Sequence, residues 1–182
     1  MRAAASIGAA LVAVGLTCAA HAGPPPKSET KDFGLALGPF LPVGALSDGY
    51  DFGVYATFRG YYFPAASRHG VRAALWAAGA DGNEGIDNGY AYGAEMNYAA
   101  HFGAGEAPFY FFVGAGLSGS DFIAISGGFP GGTQIHIRGS AFSGNIGVGY
   151  VWKRVFLEAS YVEVFDDQKH YGFAPLVLGL RF

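Results

Sequence analysis

The feature that most limits what this chain can fold into is a period of two. From Tyr90 to Phe102 one parity reads Tyr90, Tyr92, Ala94, Met96, Tyr98, Ala100, Phe102, and the other reads Ala91, Gly93, Glu95, Asn97, Ala99, His101. Successive side chains of a strand point to opposite faces, so this stretch is a strand with one oily face. The same split separates Phe52, Val54, Ala56 and Phe58 from Gly53, Tyr55, Thr57 and Arg59, and Val155, Leu157, Ala159 and Tyr161 from Phe156, Glu158, Ser160 and Val162. It returns at the end, where Ala174, Leu176, Leu178, Leu180 and Phe182 alternate with Phe173, Pro175, Val177, Gly179 and Arg181. Turn clusters cut the chain into eight such segments, at 32–41, 52–63, 70–79, 89–102, 108–119, 134–151, 154–165 and 171–182. No charge-free stretch beyond Phe33 is credible as a membrane helix; the longest, Phe122 to Ile137, contains Pro130 and four glycines.

What covers the oily faces follows from composition. The chain is 51% hydrophobic and only 14% charged, which is too little charge to coat a soluble eight-stranded barrel or cup. The connections alternate in length, with PVGALSDGYD, DGNEGIDN and SDFIAISGGFPGGT after odd segments and GAGEA and Lys153 after even ones. Large residues gather at segment ends: Phe33, Tyr62, Phe63, Phe102, Phe109, Tyr150 and Trp152 near one rim, Phe40, Tyr50, Phe52, Tyr90, Tyr92, Phe165 and Tyr171 near the other. Two aromatic girdles and a long-short alternation belong to a barrel crossing lipid. The expected fold is all-β, an eight-stranded antiparallel up-and-down transmembrane β-barrel.

The opening residues are of another kind. Met1 and Arg2 give a positive start, Ile7 to Leu16 an apolar run, and Ala20-His21-Ala22 a small-x-small site before Gly23-Pro24-Pro25-Pro26. This reads as a signal peptide over 1–22 cleaved after Ala22. A retained membrane helix over Ala3 to Ala20 and a lipid anchor on Cys18 are the weaker readings. Cleavage removes the only cysteine, so the exported chain has neither disulfide nor thiol ligand. Residues 23–31 (GPPPKSETK) read as a disordered periplasmic lead-in, leaving 32–182 for the barrel. A net charge of -3 supplies no basic field, so nucleic acid is not an expected partner.

The hairpin Gly38-Pro39-Phe40-Leu41-Pro42-Val43-Gly44, followed by Ser47-Asp48-Gly49-Tyr50-Asp51-Phe52-Gly53, resembles the opening of the small outer-membrane protein β-barrel domains of Gram-negative bacteria, the OmpA/OmpX-like group. The likeness covers Asp32 to Phe182. A terminal Phe182 with Leu180 and Leu178 at alternate places is similar to the signal read by the outer-membrane assembly machinery. The resemblance implies a place in the outer membrane, both termini in the periplasm, and outer-membrane lipid and that machinery as partners. It implies little about activity, because one fold hosts many functions.

Several groups are candidates for chemistry. The longer connections carry Asp48 and Asp51; Asp81, Glu84 and Asp87; Asp121; Asp166 and Asp167. The run Asp81 to Asp87 lacks a calcium loop's Gly at the sixth place, where Ile86 stands, and its closing Glu. Ser67 with His69, His170 near Asp166 and Asp167, and His136 with Arg138 as pore-lining or rim residues are the candidates for catalysis, and none makes a serine-histidine-acid set. Eight strands enclose a lumen that side chains can fill, which argues against a water-filled pore. Inward parity places Arg59 and Arg72 nearly opposite each other, Glu95 with Asn97 beside Arg72, and Glu158 and Arg181 facing inward on the last two segments. The expectation is a buried network of Arg59, Arg72 and Glu95, joined by Glu158 and Arg181, in place of a hydrophobic core. With no catalytic set, metal or cofactor expected, the function read here is a non-enzymatic barrel with a structural or surface role through acidic outer loops and an unknown partner. The alternatives are a lipid-modifying enzyme or a small-solute channel on the same scaffold.

Overall fold

The computed structural model describes residues 30–83, 86–102, 109–126, 133–166 and 170–182, the side chains of 124–126 excepted. The segment 1–22, residues 23–29 of the lead-in, Glu84 and Asp167 lie outside the described residues. Eight strands follow in order: β1 (Thr30–Gly44), β2 (Gly53–Phe63), β3 (His69–Ala80), β4 (Gly89–Phe102), β5 (Phe109–Ser126), β6 (Thr133–Trp152), β7 (Val155–Phe165) and β8 (His170–Arg181). Each pairs antiparallel with the next, and β1 pairs with β8, so the sheet is a closed barrel. Thr30 and Lys31, read as lead-in, already pair with Phe63 and Tyr62.

The register sets the barrel's shape. The pairing runs from Gly34 through Arg59, Ala74, Glu95, Gly116, Ser143, Val164 and Tyr171 and returns to β1 at Gly44. One circuit therefore climbs from Gly34 to Gly44, and a stagger of this kind tilts the strands by roughly 35–45°. The same stagger decides which parity faces in. Leu35, Leu37, Leu75, Met96, Leu117, Leu178 and Leu180 point outward and are exposed, while Arg59, Arg72, Glu95 and Glu158 are buried. An apolar outside around a polar-bearing inside is the arrangement of a membrane-spanning barrel.

Two sequence expectations need correction. Exposed aromatic rings do form bands, with Phe33, Tyr62, Phe109, Tyr150, Trp152 and Phe182 at the end holding the chain termini, and Phe52, Tyr90, Tyr92, Phe142 and Phe165 at the other, the loop end. Phe40, Tyr50, Phe63, Phe102 and Tyr171, however, are buried. Phe40 shares the inward parity of Ala36, and its ring fills the space left by Gly53, where a Cβ would overlap it. Phe102 stacks on Phe109 at 5.9 Å. The Gly-rich inward parity is thus also where large rings pack, with Gly53, Gly89, Gly93, Gly147, Gly149 and Gly179 making room for a neighbour's ring.

The other correction concerns SDFIAISGGFPGGT, which is not simply a loop. β5 and β6 run beyond their neighbours: β4 leaves β5 at Tyr90 opposite Asp121, β7 leaves β6 at Phe165 opposite Phe142, and the pair continues alone to Ser126 opposite Thr133. Asp121 is a strand residue there, opposite Arg138. The β1–β8 seam is irregular, its pairing skipping from Leu37–Leu178 to Phe40–Pro175. Pro39 and Pro175 carry no N–H to donate to a ladder. Lys153 turns the tight β6–β7 hairpin at φ 56°.

Gly179 tests the ring-and-glycine packing, because a Cβ there would overlap the Phe156 ring and crowd Ala36. Gly179→Ala is expected to lower unfolding stability by roughly 1–3 kcal/mol, read from urea titration of the protein in lipid vesicles, while Ala174→Gly on the outward parity leaves it within about 0.5–1 kcal/mol.

Candidate functional site

The lumen brings together the charged residues of the inward parity. Arg59 on β2, Arg72 on β3, Glu95 on β4 and Glu158 on β7 are all buried. The register sets Arg59 opposite Ala74 and Arg72 opposite Tyr61, so the two arginines are diagonal rather than face to face. Arg72 likewise stands opposite Asn97, and Glu95 opposite Ala74. This offset lets carboxylates enter between the guanidinium groups.

Glu158 is the hub. Its Oε2 pairs with Arg59 Nη1 and accepts from Tyr110 Oη at 2.8 Å and Tyr61 Oη at 3.2 Å, while its Oε1 accepts from Arg72 Nη2 at 2.9 Å. Arg72 Nη1 reaches Glu95 Oε1, and Arg72 Nε donates to Tyr61 Oη at 3.1 Å. Glu95 also accepts from Asn97 Nδ2 at 3.3 Å and from Asn145 Nδ2. The Arg59 guanidinium lies 3.2 Å from the Phe156 ring centroid and that of Arg72 4.1 Å from Phe112, so the cations are also faced by ring quadrupoles. Two guanidinium groups meet two carboxylates, and charges that would be costly alone are compensated.

Arg181 is not part of this network. It donates from Nη1 to Asp32 Oδ2 at 3.0 Å, at the mouth where the chain termini meet, and both side chains are partly exposed. Its parity is inward, but it stands at the end of β8, where its guanidinium turns to Asp32 rather than to the buried carboxylates. Tyr61, Tyr110 and Asn145 belong to the network and were not singled out from sequence. Their signal was available: Tyr61 shares parity with Arg59, and Asn145 with the inward glycines of β6.

The network does not replace a hydrophobic core, as the sequence suggested; it shares the lumen with one. Toward the loop end the barrel is filled by Phe40, Tyr55, Trp76, Phe122 and Phe173 among others. Phe40 meets Phe173 edge-on at 5.2 Å and Tyr55 stacks on Trp76 at 5.7 Å. Above them residues 45–52, 81–83 and 86–88 fold over the opening and bury Leu46 and Ile86. Asn83 N donates to Gly49 O at 2.9 Å, and Tyr50 Oη donates to Asp87 O and accepts from Ile123 N, both at 3.1 Å. Burial raises the Tyr50 phenol pKa above its ordinary value; the Ile123 bond works against this, and Asp121 and Asp87 add to it.

The remaining sequence candidates do not assemble into chemistry. Ser67 Oγ donates to His69 O at 2.9 Å and accepts from His69 N at 3.0 Å, a local turn, while the His69 ring meets the Tyr98 hydroxyl. His170 is exposed, edge-on to Phe165 at 5.6 Å. His136 and Arg138 are exposed on the projecting hairpin rather than lining a pore, with Arg138 Nε 3.5 Å from Asp121 Oδ2. Asp48, Asp51, Asp81 and Asp87 are exposed at the loop end, and Asp166 is half-buried. Among the described residues no three His, Cys, Asp or Glu side chains group to hold a metal ion.

No family model and no curated protein sequence matches the chain. Solved structures do. Neisserial surface protein A aligns at TM-score 0.54 and 15% identity, covering 85% of this chain and 97% of its own. Ail, the attachment invasion locus protein of Yersinia pestis, aligns at TM-score 0.55 and 16% identity, covering 86% and 99%. A second Ail structure, in complex with the heparin analogue sucrose octasulfate, aligns at TM-score 0.54 and 14% identity, covering 86% and 99%. At this identity the likeness establishes a shared fold, that of small outer-membrane barrels.

Removing one member of the network leaves its partners buried without compensation. Glu158→Gln is expected to destabilise the barrel by roughly 3–5 kcal/mol, measured by urea unfolding in vesicles, and adding Arg59→Gln should recover a substantial part. Strictly additive costs would mean the two are not coupled.

Proposed function

We propose that the protein is a non-enzymatic barrel of the bacterial outer membrane that acts through contacts made at its loop end. The observation that carries this reading is the filled lumen: ion pairs backed by rings occupy the half near the termini, aromatic rings the half near the loops, and residues 45–52, 81–83 and 86–88 lie across the opening. A solute path would have to break the pairs at Glu158, and the candidate serine and histidines are committed to local bonds or stand apart. What remains for recognition is the rim of the loop end.

Charge suggests the kind of partner. Ail has been crystallised with a polysulfated ligand. Here Asp48, Asp51, Asp81 and Asp87 are exposed on the loop end and Arg138 is faced by Asp121, so a polyanion would be repelled and a cationic partner attracted. In this reading the chain termini lie in the periplasm, the segment 1–22 directs export, and Leu178, Leu180 and Phe182, exposed on β8 and at its end, face the assembly machinery as well as lipid.

Cell fractionation with heat-modifiable gel mobility tests location and closure together. In intact cells, single cysteines at positions 48 and 81 should react with an impermeant thiol reagent and one at 153 should not; the reverse pattern would invert the orientation. Deleting Phe182 should reduce the barrel recovered in the outer membrane severalfold while leaving export intact, and undiminished recovery would remove the terminal signal.

A further inference from the structure

The outward surface is uneven. Gly60, Ala73, Ala94 and Ala115, on four neighbouring strands, are small where their neighbours are large. The exposed side chains of Phe58, Leu75, Met96 and Leu117 rise around them and leave a groove of about 570 Å³, well within the size of small-molecule sites. Phe33 leans over Gly60, 3.2 Å from where its Cβ would be, and forms one wall. Toward the chain termini the groove opens into a hollow of about 300 Å³ that shares Phe33, Gly60, Ala73 and Met96 with it and is bounded by Lys31 and Tyr62.

The foot of this groove is cationic. Lys31 Nζ lies 5.7 Å from the Tyr62 ring centroid, and Arg68 stands at the β2–β3 turn beside it in the ring of strands. An apolar channel ending at cations complements a molecule with a hydrocarbon tail and an anionic head. A second copy docked about a two-fold axis along the barrel would bring both Lys31 side chains to one level, where like charges oppose each other.

We propose that this groove holds one anionic phospholipid of the periplasm-facing leaflet, its acyl chain along Gly60, Ala73 and Ala94 and its phosphate at Lys31 and Arg68. The proposal rests on the outer-membrane reading above. Filling the floor should exclude the chain, and reversing the foot charge should repel the head.

The test is native mass spectrometry of the folded protein released from micelles containing equal dioleoylphosphatidylglycerol and dioleoylphosphatidylcholine. The wild type is expected to retain one phosphatidylglycerol in at least about fivefold preference. Ala94→Leu and Lys31→Glu should each lower its retention by about as much, while Ala174→Leu on the far side leaves it unchanged. Equal retention of the two lipids, undiminished retention in Ala94→Leu, or a lipid-free dimer would overturn the proposal. Heat-modifiable mobility separates the two readings: loss of the shift in the wild type removes the membrane barrel itself, and a retained shift without lipid preference removes only the lipid site.

Discussion

Ring closure is the constraint on which everything else depends. Hydrocarbon offers no partner for a backbone N–H or C=O, so a sheet that crosses it must have no edge. With eight strands and a stagger carrying Gly34 to Gly44 in one circuit, the ring encloses a lumen too wide to be left empty and narrow enough for side chains to fill. The outward parity is thereby released from packing and needs only to be apolar. All specific packing moves inside.

Inside, two solutions share the space. Near the termini, four charged residues neutralise one another, phenols and amides add hydrogen bonds to the carboxylates, and Glu158 ties β7 to β2 and β3. Toward the loops, rings interlock above glycines on the facing strands. The ionic half costs heavily when a single partner is lost, whereas the aromatic half loses packing by degrees. A network spanning several strands also opposes register slip, because moving a strand by one residue would turn its charges toward lipid.

How much of this was legible before coordinates depended on parity. Arg59, Arg72, Glu95 and Glu158 could be placed inward because a charge on the wrong face of such a strand would meet hydrocarbon. Phe40, Tyr50, Phe63 and Tyr171 were misplaced because an aromatic ring is at home in either a lipid-facing band or a packed lumen. Only the register, which makes Gly53 the neighbour of Phe40, separates the two. Arg181 had the right parity and the wrong height, since strand tilt is a property of the closed ring. The outer part of β5 reads as connection because the glycines and Pro130 that follow outweigh the alternation of Phe122 to Ser126, whereas the stretch from Gln134 onward reads as strand.

The seam between the first and last strands is irregular just where prolines withhold their donors, and it joins the two ends of the chain. Contacts between Thr30–Gly44 and His170–Arg181 can form only after the whole intervening chain has been looped back, so their entropic cost is the largest in the fold. An interrupted ladder is a poor repayment for that cost. Beside its two paired stretches, at Gly34–Leu37 and Phe40–Gly44, the seam is held by side chains that meet across it: Phe40 against Phe173 in the lumen and Asp32 with Arg181 at the mouth, with reciprocal backbone bonds between Phe33 and Phe182. The two ends of the chain therefore depend on the barrel's filling to stay joined, and closure and core packing become one cooperative event.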